Sequence, residues 1–451
     1  MREIHLEDTK RGRLELLTPR DRGRVGIYAC GPTVYSRIHI GNARPFVVFS
    51  LLKRFLEHEG YEVELVVNVT DVNDKIYDAA RAKDVPSAEL AAEMSALYTA
   101  DTDALALGRP DHEPLASETI GAIVDYIQTL IDRGHAYAVD GDVYFRVRSD
   151  PEYGSLSHRQ LENMEQGEDD SDPALGARKE DPLDFALWKA RKEGEDTSWP
   201  APWGEGRPGW HIECSAMAEQ LLGVGFDIHG GGSDLVFPHH ENEAAQTRAA
   251  RGAELAGLWM HNGMIQTTGE KMAKSVGNIA LLHEVIEQCG PESVLMYLIS
   301  GHYRQPLAFS PETLEQARAN VRRIREAARK LVPGDTGDEH LRTYRDAFFG
   351  ALANDFNTAA ALAQLNEWLS AAAQLGAKRD GDLREMLGVL GLESLLDPPE
   401  DAPAEVRALA EERQSARALR DFAAADDLRD RIASLGWEVR DVAQGFELLP
   451  L

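Results

Sequence analysis

Residues 24–71 read RVGIYACGPTVYSRIHIGNARPFVVFSLLKRFLEHEGYEVELVVNVTD, and this stretch decides the fold. Arg24 to Cys30 is a short apolar run that Gly31-Pro32 ends, as a turn ends a strand. From Asn42 to Glu59 apolar residues recur at helical spacing (Phe46, Val47, Phe49, Leu52, Phe55, Leu56), and Gly60 supplies a helix stop. Glu62-Val-Glu-Leu-Val-Val67 then returns as a β-branched strand. Strand, helix and strand in this order form a βαβ unit, which implies a parallel sheet covered by helices. Ligands of such sheets sit beyond the carboxyl ends of the strands, where Cys30 and Thr70-Asp71 fall.

Outward from this unit the chain reads in blocks. Residues 136–210 look like an insertion: a strand pair (Ala136-Tyr137 and Val143 to Val147), an acidic loop from Glu162 to Asp172 expected to be mobile, and a Pro/Gly/Trp-rich stretch ending at Trp210. Ser310 is an N-cap with Pro311 at the first helical position, and helical periodicity runs from there to Leu395 with a break near Pro333-Gly334. Asp397 to Pro403 has linker composition. A charged helix pair, Glu405 to Leu435, and a strand-like tail close the sequence.

At 451 residues, and about 150 residues per domain, roughly three domains are expected. Lys and Arg total 48 against 76 Asp and Glu, a formal charge of −28. So acidic a surface repels polyanions, so nucleic acid must be met by local basic patches. The densest basic run is 318–330, with Arg318, Arg322, Arg323, Arg325, Arg329 and Lys330 against Glu326, and it is the expected RNA-contacting face. Cys30, Cys214 and Cys289 are the three cysteines, too few for a disulfide framework and suited to a reducing compartment. The N-terminus lacks the apolar core of a signal peptide, and no run reaches the roughly 18 apolar residues of a membrane span. A cytoplasmic chain with no membrane partner is expected.

Three constellations carry chemistry. Gly31-Pro-Thr-Val-Tyr35 and His39-Ile-Gly-Asn42 lie between a strand end and a helix N-terminus, whose unpaired N–H groups and dipole favour phosphate. His39 can donate to a phosphate oxygen, and Gly41 lets backbone approach it. Lys271-Met-Ala-Lys-Ser275, flanked by Gly269 and Gly277, sets two lysines where both can reach one polyphosphate. Cys30, Cys214 in GWHIECSAM (209–217), and FDIHGGGSDLVFPHHENE (226–243) together hold zinc-type ligands. If Pro238 starts a helix, His239 and Glu243 face the same way. His211, His229 and His240 remain open as ligands, and Cys289 reads as a buried structural thiol.

These pieces resemble the cysteinyl-tRNA synthetases, a class I aminoacyl-tRNA synthetase family, over essentially the whole chain. The resemblance rests on GPTVY, the HIGH-type signature at 39–42, the KMSKS-type loop at 271–275, GWHIECSAM, DIHGGGSD and FPHHENE. It implies an α/β chain: a Rossmann-type catalytic domain in two halves (1–125 and 206–310), an inserted connective domain (126–205), a helical bundle (311–396) and a small anticodon-binding-like domain (404–451). It implies one zinc ion held by Cys30, Cys214, His239 and Glu243, and Mg²⁺ with ATP. His39 and Asn42 would hold ATP, Lys271 and Lys274 would act on its phosphates, and Trp210 and Thr70 are candidates for contact with the substrate. L-cysteine, ATP and cysteine tRNA are the implied partners of a monomer.

The implied reaction is attack of the cysteine carboxylate on the α-phosphorus of ATP, then transfer of the acyl group to the 3′ end of tRNA. Zinc would provide selectivity, since an apolar pocket separates near-isosteres by only about 10²-fold while a soft thiolate binds zinc far better than a hydroxyl does. No editing domain is then required. Two departures stand out, Asn42 for the final histidine of HIGH, which can still donate a hydrogen bond but cannot carry charge, and Ala273 for the first serine of KMSKS; neither removes an essential charge. The rival readings are the cysteine ligase of mycothiol biosynthesis, which needs no domain like 405–451, and a catalytically inactive RNA-binding paralogue, against which the intact lysines and ligands argue.

Overall fold

The computed structural model describes residues 2–161, 164, 178–267, 270–271, 280–397, 402–442 and 445–450. The chain divides into two compact units, Met1–Glu393 and Ser394–Leu451. The first opens with the antiparallel hairpin of β1 (His5–Asp8) and β2 (Arg13–Leu16). The expected βαβ unit follows as β3 (Arg24–Ala29), α1 (Ile40–His58) and β4 (Glu62–Val67), with β3 and β4 parallel from Arg24 opposite Glu62 to Ala29 opposite Val67. The helix starts two residues before Asn42, capped by His39.

After α2 (Asp74–Lys83), α3 (Ser87–Asp103) and α4 (Ile120–Asp132), a separate antiparallel sheet interrupts the parallel one in sequence. It comprises β5 (Ala136–Val139), β6 (Asp142–Phe145), β7 (Phe185–Ala190) and β8 (Gly206–Pro208), in that order. Val143, Phe145, Phe185 and Trp188 pack with Ile123, Tyr126, Ile127 and Leu130 of α4 and with Ile212 and Ala216. Except for Met164, the acidic stretch 162–172 lies outside the described residues.

The chain re-enters the parallel sheet through helix Trp210–Leu222, β9 (Phe226–Gly232), helix Glu241–Arg251 and β10 (Ala256–Asn262). The strand order is β10-β9-β3-β4 with every neighbour parallel. One connection leads from β3 out to β4 and another from β9 out to β10, in opposite directions, so a crevice opens between the carboxyl ends of β3 and β9. That is where the Cys30 turn and the glycines of DIHGGGSD stand.

A smaller sheet, ordered β12-β11-β13, unites β11 (Ile265–Thr267), β12 (Glu270–Lys271) and β13 (Leu307–Phe309). Between β12 and β13 run helices Leu282–Cys289 and Pro291–Leu298. Cys289 is half-buried rather than buried: it ends its helix where the chain turns at Gly290, φ 78°, and so lies at the rim of the packed face that holds Leu282 and Val285. Ser310 caps helix Pro311–Ala328 with a reciprocal box through Thr313, and helices Glu339–Ala353, Thr358–Leu375 and Gly381–Val389 complete the helical layer.

In the second unit, helices Ala404–Ala418 and Phe422–Ser434 pack with the hairpin β14 (Trp437–Val442) and β15 (Gly445–Pro450). Val406, Leu409, Leu428, Ile432, Trp437 and Val439 form its core. Among the described residues no helix is long and apolar enough to cross a membrane.

Candidate active site

The site begins where β3 ends. Cys30 donates its N–H to Gly230 of β9 at 2.9 Å, and the Gly31 N–H bonds Asn68 Oδ1 at 2.9 Å. A Cβ on Gly31 would stand 1.8 Å from the Asn68 carbonyl oxygen, so only glycine lets the chain leave β3 this close to the end of β4. Helix Trp210–Leu222 brings Cys214 to the same point on its second turn. His239 and Glu243 arrive across the start of helix Glu241–Arg251, four residues apart on one face.

One ligand atom from each of Cys30, Cys214, His239 and Glu243 lies within 4.8 Å of every other, and all four side chains are buried. The two sulfurs are 3.8 Å apart, and Cys30 Sγ is 3.8 Å from Glu243 Oε1. Two thiolates on one zinc at about 2.3 Å, tetrahedrally disposed, stand about 3.8 Å apart. His239 Nε2 lies 3.0 Å from Glu243 Oε1 without hydrogen-bond geometry and is a buried atom with no partner. Two groups that could share one cation stand in this way.

A second combination, Cys30, His229, His240 and Glu243, is equally compact. Its two histidines are already engaged: His229 Nε2 meets Glu243 Oε2 at 2.7 Å, and His240 Nε2 meets Cys30 Sγ at 3.3 Å. They read as supports that orient the ligands, as such outer partners do around metals. From His240 the chain of bonds continues through His261 (2.6 Å) to the Thr9 hydroxyl (2.7 Å). His211 supports His239 in the same manner, Nδ1 to Nδ1 at 2.9 Å.

The electrostatics ask for a cation. Burial, then Cys214, pushes the Cys30 thiol well up. The Cys214 thiol is eased down by its bond from Cys30, but burial and Glu243 outweigh this and raise it. Burial raises Glu243 and drives His239 and His240 well below the ordinary imidazole range. Each group is thus pressed toward its neutral form, and a buried divalent ion is what would restore two thiolates and a carboxylate. The donor set of two sulfurs, an imidazole and a carboxylate suits zinc.

Trp210 packs at a tilt against His239, ring centroids 4.2 Å apart, so it borders the cluster directly. Thr70 is buried and is bonded through its backbone to the GPTVY segment, Thr70 N–H to Pro32 O and Val34 N–H to Thr70 O, both 3.1 Å. At the other side of the crevice, His39 Nδ1 accepts the Gly41 N–H at 3.1 Å, which leaves the ring proton on Nε2. Asn42 Oδ1 accepts the His39 N–H at 3.2 Å, so the residue that departs from the signature completes the cap. Lys271 is on β12 by its backbone, opposite Gln266, and Lys274 lies outside the described residues. Where the chain resumes, Leu281 pairs with His39 and the Ile40 N–H bonds Ala280 O at 3.0 Å. Ala280 and Leu281, where the described chain resumes, thus lie against the helix cap.

Sequence reasoning missed the outer shell. Thr9 and His261 are 252 residues apart, and Glu213, fully buried with its carboxyl pushed well up by burial and Asp71, sits among helix residues that give no local sign of it. Arg44 had a signal: a cation within the apolar stripe of a helix.

The model of the tRNA synthetases class I (C) catalytic domain matches residues 16–319. The cysteine–tRNA ligase of Caldicellulosiruptor saccharolyticus is 43% identical to this chain, covering 96% of each. That of Symbiobacterium thermophilum is 45% identical over the same shares. Among solved structures, Mycobacterium tuberculosis methionyl-tRNA synthetase in complex with methionyl-adenylate shares the fold, with a TM-score of 0.58 at 17% identity over 83% of this chain and 89% of that one.

Proposed function

We propose a mechanism from one premise: the chain belongs to the cysteinyl-tRNA synthetase family of class I aminoacyl-tRNA synthetases, and is an enzyme of that kind. It activates L-cysteine with ATP as cysteinyl-adenylate and transfers the acyl group to the 3′ end of cysteine tRNA. The observation that carries the reading is the convergence of Cys30, Cys214, His239 and Glu243, from three separate stretches, beside Trp210 in the crevice between β3 and β9.

These four side chains would hold a zinc ion, which would supply a soft Lewis acid that favours a substrate thiolate over the serine hydroxyl. Trp210 and Thr70 wall the amino-acid pocket. The N-terminus of α1 presents its N–H groups to ATP, which arrives with Mg²⁺, and His39 Nε2–H donates to a phosphate oxygen. The cysteine carboxylate attacks the α-phosphorus and pyrophosphate leaves toward Lys271 and Lys274, whose charges offset those building on the departing oxygens. The protein's work is to align reactants and neutralise charge.

Cysteine-dependent exchange of pyrophosphate into ATP, and charging of tRNA with labelled cysteine, test the reading. Appreciable serine activation by the zinc-loaded enzyme contradicts selection by the metal. Exchange without tRNA charging, but with transfer to a sugar amine, would return the mycothiol-type ligase. Cys214→Ser is expected to lose stoichiometric zinc by metal analysis, and full retention removes Cys214 from the ligand set.

A further inference from the structure

Residues 301–306 join helix Pro291–Leu298 to β13, and they are gripped from three sides. Arg44, on α1 and fully buried, donates to the carbonyl oxygens of Gly263 (2.6 Å), Gln305 (2.8 Å) and His302 (3.2 Å). Gly263, between β10 and β11, lies flat against the same segment: its N–H bonds Tyr303 O at 2.8 Å, and a Cβ there would stand 2.4 Å from the Gln305 carbonyl. From the helical layer, Asp355 accepts from the Tyr303 hydroxyl (2.9 Å) and Arg304 Nε (2.8 Å) and pairs with His302 Nε2 (3.3 Å). It also accepts the Glu7 N–H at 2.9 Å.

Neither anchor is what a core needs merely to fill space. The guanidinium of Arg44 is buried and donates to three backbone carbonyls, and burial drops its pKa to about 10. Asp355 and Phe356 hold φ of 64° and 43°, consecutive non-glycine residues in the left-handed region. Such backbone persists only where surrounding contacts over-determine it. What the gripped segment leads into is β13, which pairs with β11 from Ile265 opposite Leu307 to Thr267 opposite Phe309, and β11 in turn pairs with the Lys271 strand.

We infer that Arg44 and Asp355 are positioning residues for adenylate formation: by clamping His302–Gln305 they hold the β11–β13 sheet, and with it the Lys271 strand, in register with the helix that His39 caps. The inference rests on the proposed roles of His39 and Lys271 toward ATP.

The test is pyrophosphate exchange by the full-length, zinc-loaded enzyme and its Arg44→Lys, Asp355→Asn and Tyr303→Phe variants, with zinc content, KM for cysteine and thermal melting measured on each. Misplacement of about 1 Å away from the reacting atoms can cost 10²-fold, so Arg44→Lys and Asp355→Asn should lose about 10- to 100-fold in kcat, and Tyr303→Phe several-fold, while cysteine KM and zinc content hold. Wild-type kcat in the folded variants, with only a lower melting temperature, overturns the inference. Should the first two fail to fold, Tyr303→Phe decides alone, since it removes one hydroxyl and keeps the ring. A wild-type enzyme with no cysteine-dependent exchange overturns the functional reading and the inference together; active wild type with unaltered variants overturns the inference only.

Discussion

Histidine is an unusual helix cap, and at position 39 its use as one explains two residues at once. Nδ1 is occupied by the Gly41 N–H, so the ring proton falls to Nε2, and Asn42 closes the cap by accepting the His39 N–H. A histidine at 42 is therefore not needed to hold His39 in place. Replacing His39 by alanine is expected to lower exchange kcat by about 10²–10³-fold, the size of losing one preorganised donor, with zinc content unchanged. Asp355 gives a pH signature. Burial alone would raise its carboxyl, but the bonds from His302, the Glu7 N–H, Arg304 and Tyr303 prevail and hold it below the ordinary aspartate range. A depressed folded pKa contributes stability above the unfolded value of about 3.9 and loses it as pH falls through the folded one. The melting-temperature gap between wild type and Asp355→Asn should thus be constant above about pH 5 and close below about pH 4. A gap that widens on acidification would reverse the sign.

Elements, once formed, are tied by charges that no single stretch of sequence pairs. Arg207 on β8 reaches Asp74 at the start of α2 and Glu195 at 3.2 Å, and Lys189 on β7 reaches Asp74 at 2.9 Å. This cluster fastens the antiparallel sheet to the segment that follows Thr70, while Trp210 emerges two residues after β8. Arg207→Met leaves buried Glu195 without its cation, holding only the Lys192 N–H, and should destabilise by on the order of 3 kcal/mol in urea unfolding, since removing one member of a buried ion pair strands the other charge. The helix Pro311–Ala328 shows the same economy of partners. Arg322 pairs with Glu315, Arg325 with Glu292, Arg318 with the Gln288 carbonyl, and Arg323 with Ser370 Oγ at 2.9 Å. Arg318, Arg323 and Arg325 thus also fasten this helix to its neighbours, while Arg322 pairs within it.

At the scale of the molecule, a charge of −28 makes tRNA association depend on a few local cations. Each phosphate contact removed should lower the slope of log K against log salt by about 1. Arg323→Ala is expected to lower the melting temperature and leave that slope unchanged in filter binding across salt. A slope reduced by about 1 would instead place Arg323 on the RNA-facing surface.

By itself the sequence determined the βαβ unit, since periodicities of 3.6 and 2 residues are local properties, and it singled out Cys30, Cys214, His239, Glu243, His39 and the lysine loop through motifs short enough to quote. The start of α1 was misread by two residues because histidine seldom caps, and Cys289 was misjudged because burial at a helix end depends on what packs there. Only the folded chain shows that His229, His239 and His240 all stand around Cys30 and Glu243, and that His239 Nε2 is the ring nitrogen there with no hydrogen-bond partner. It alone shows that Arg44 and Asp355, 311 positions apart in numbering, hold one segment between them. Such contacts arise when the chain closes on itself, and no local pattern encodes them.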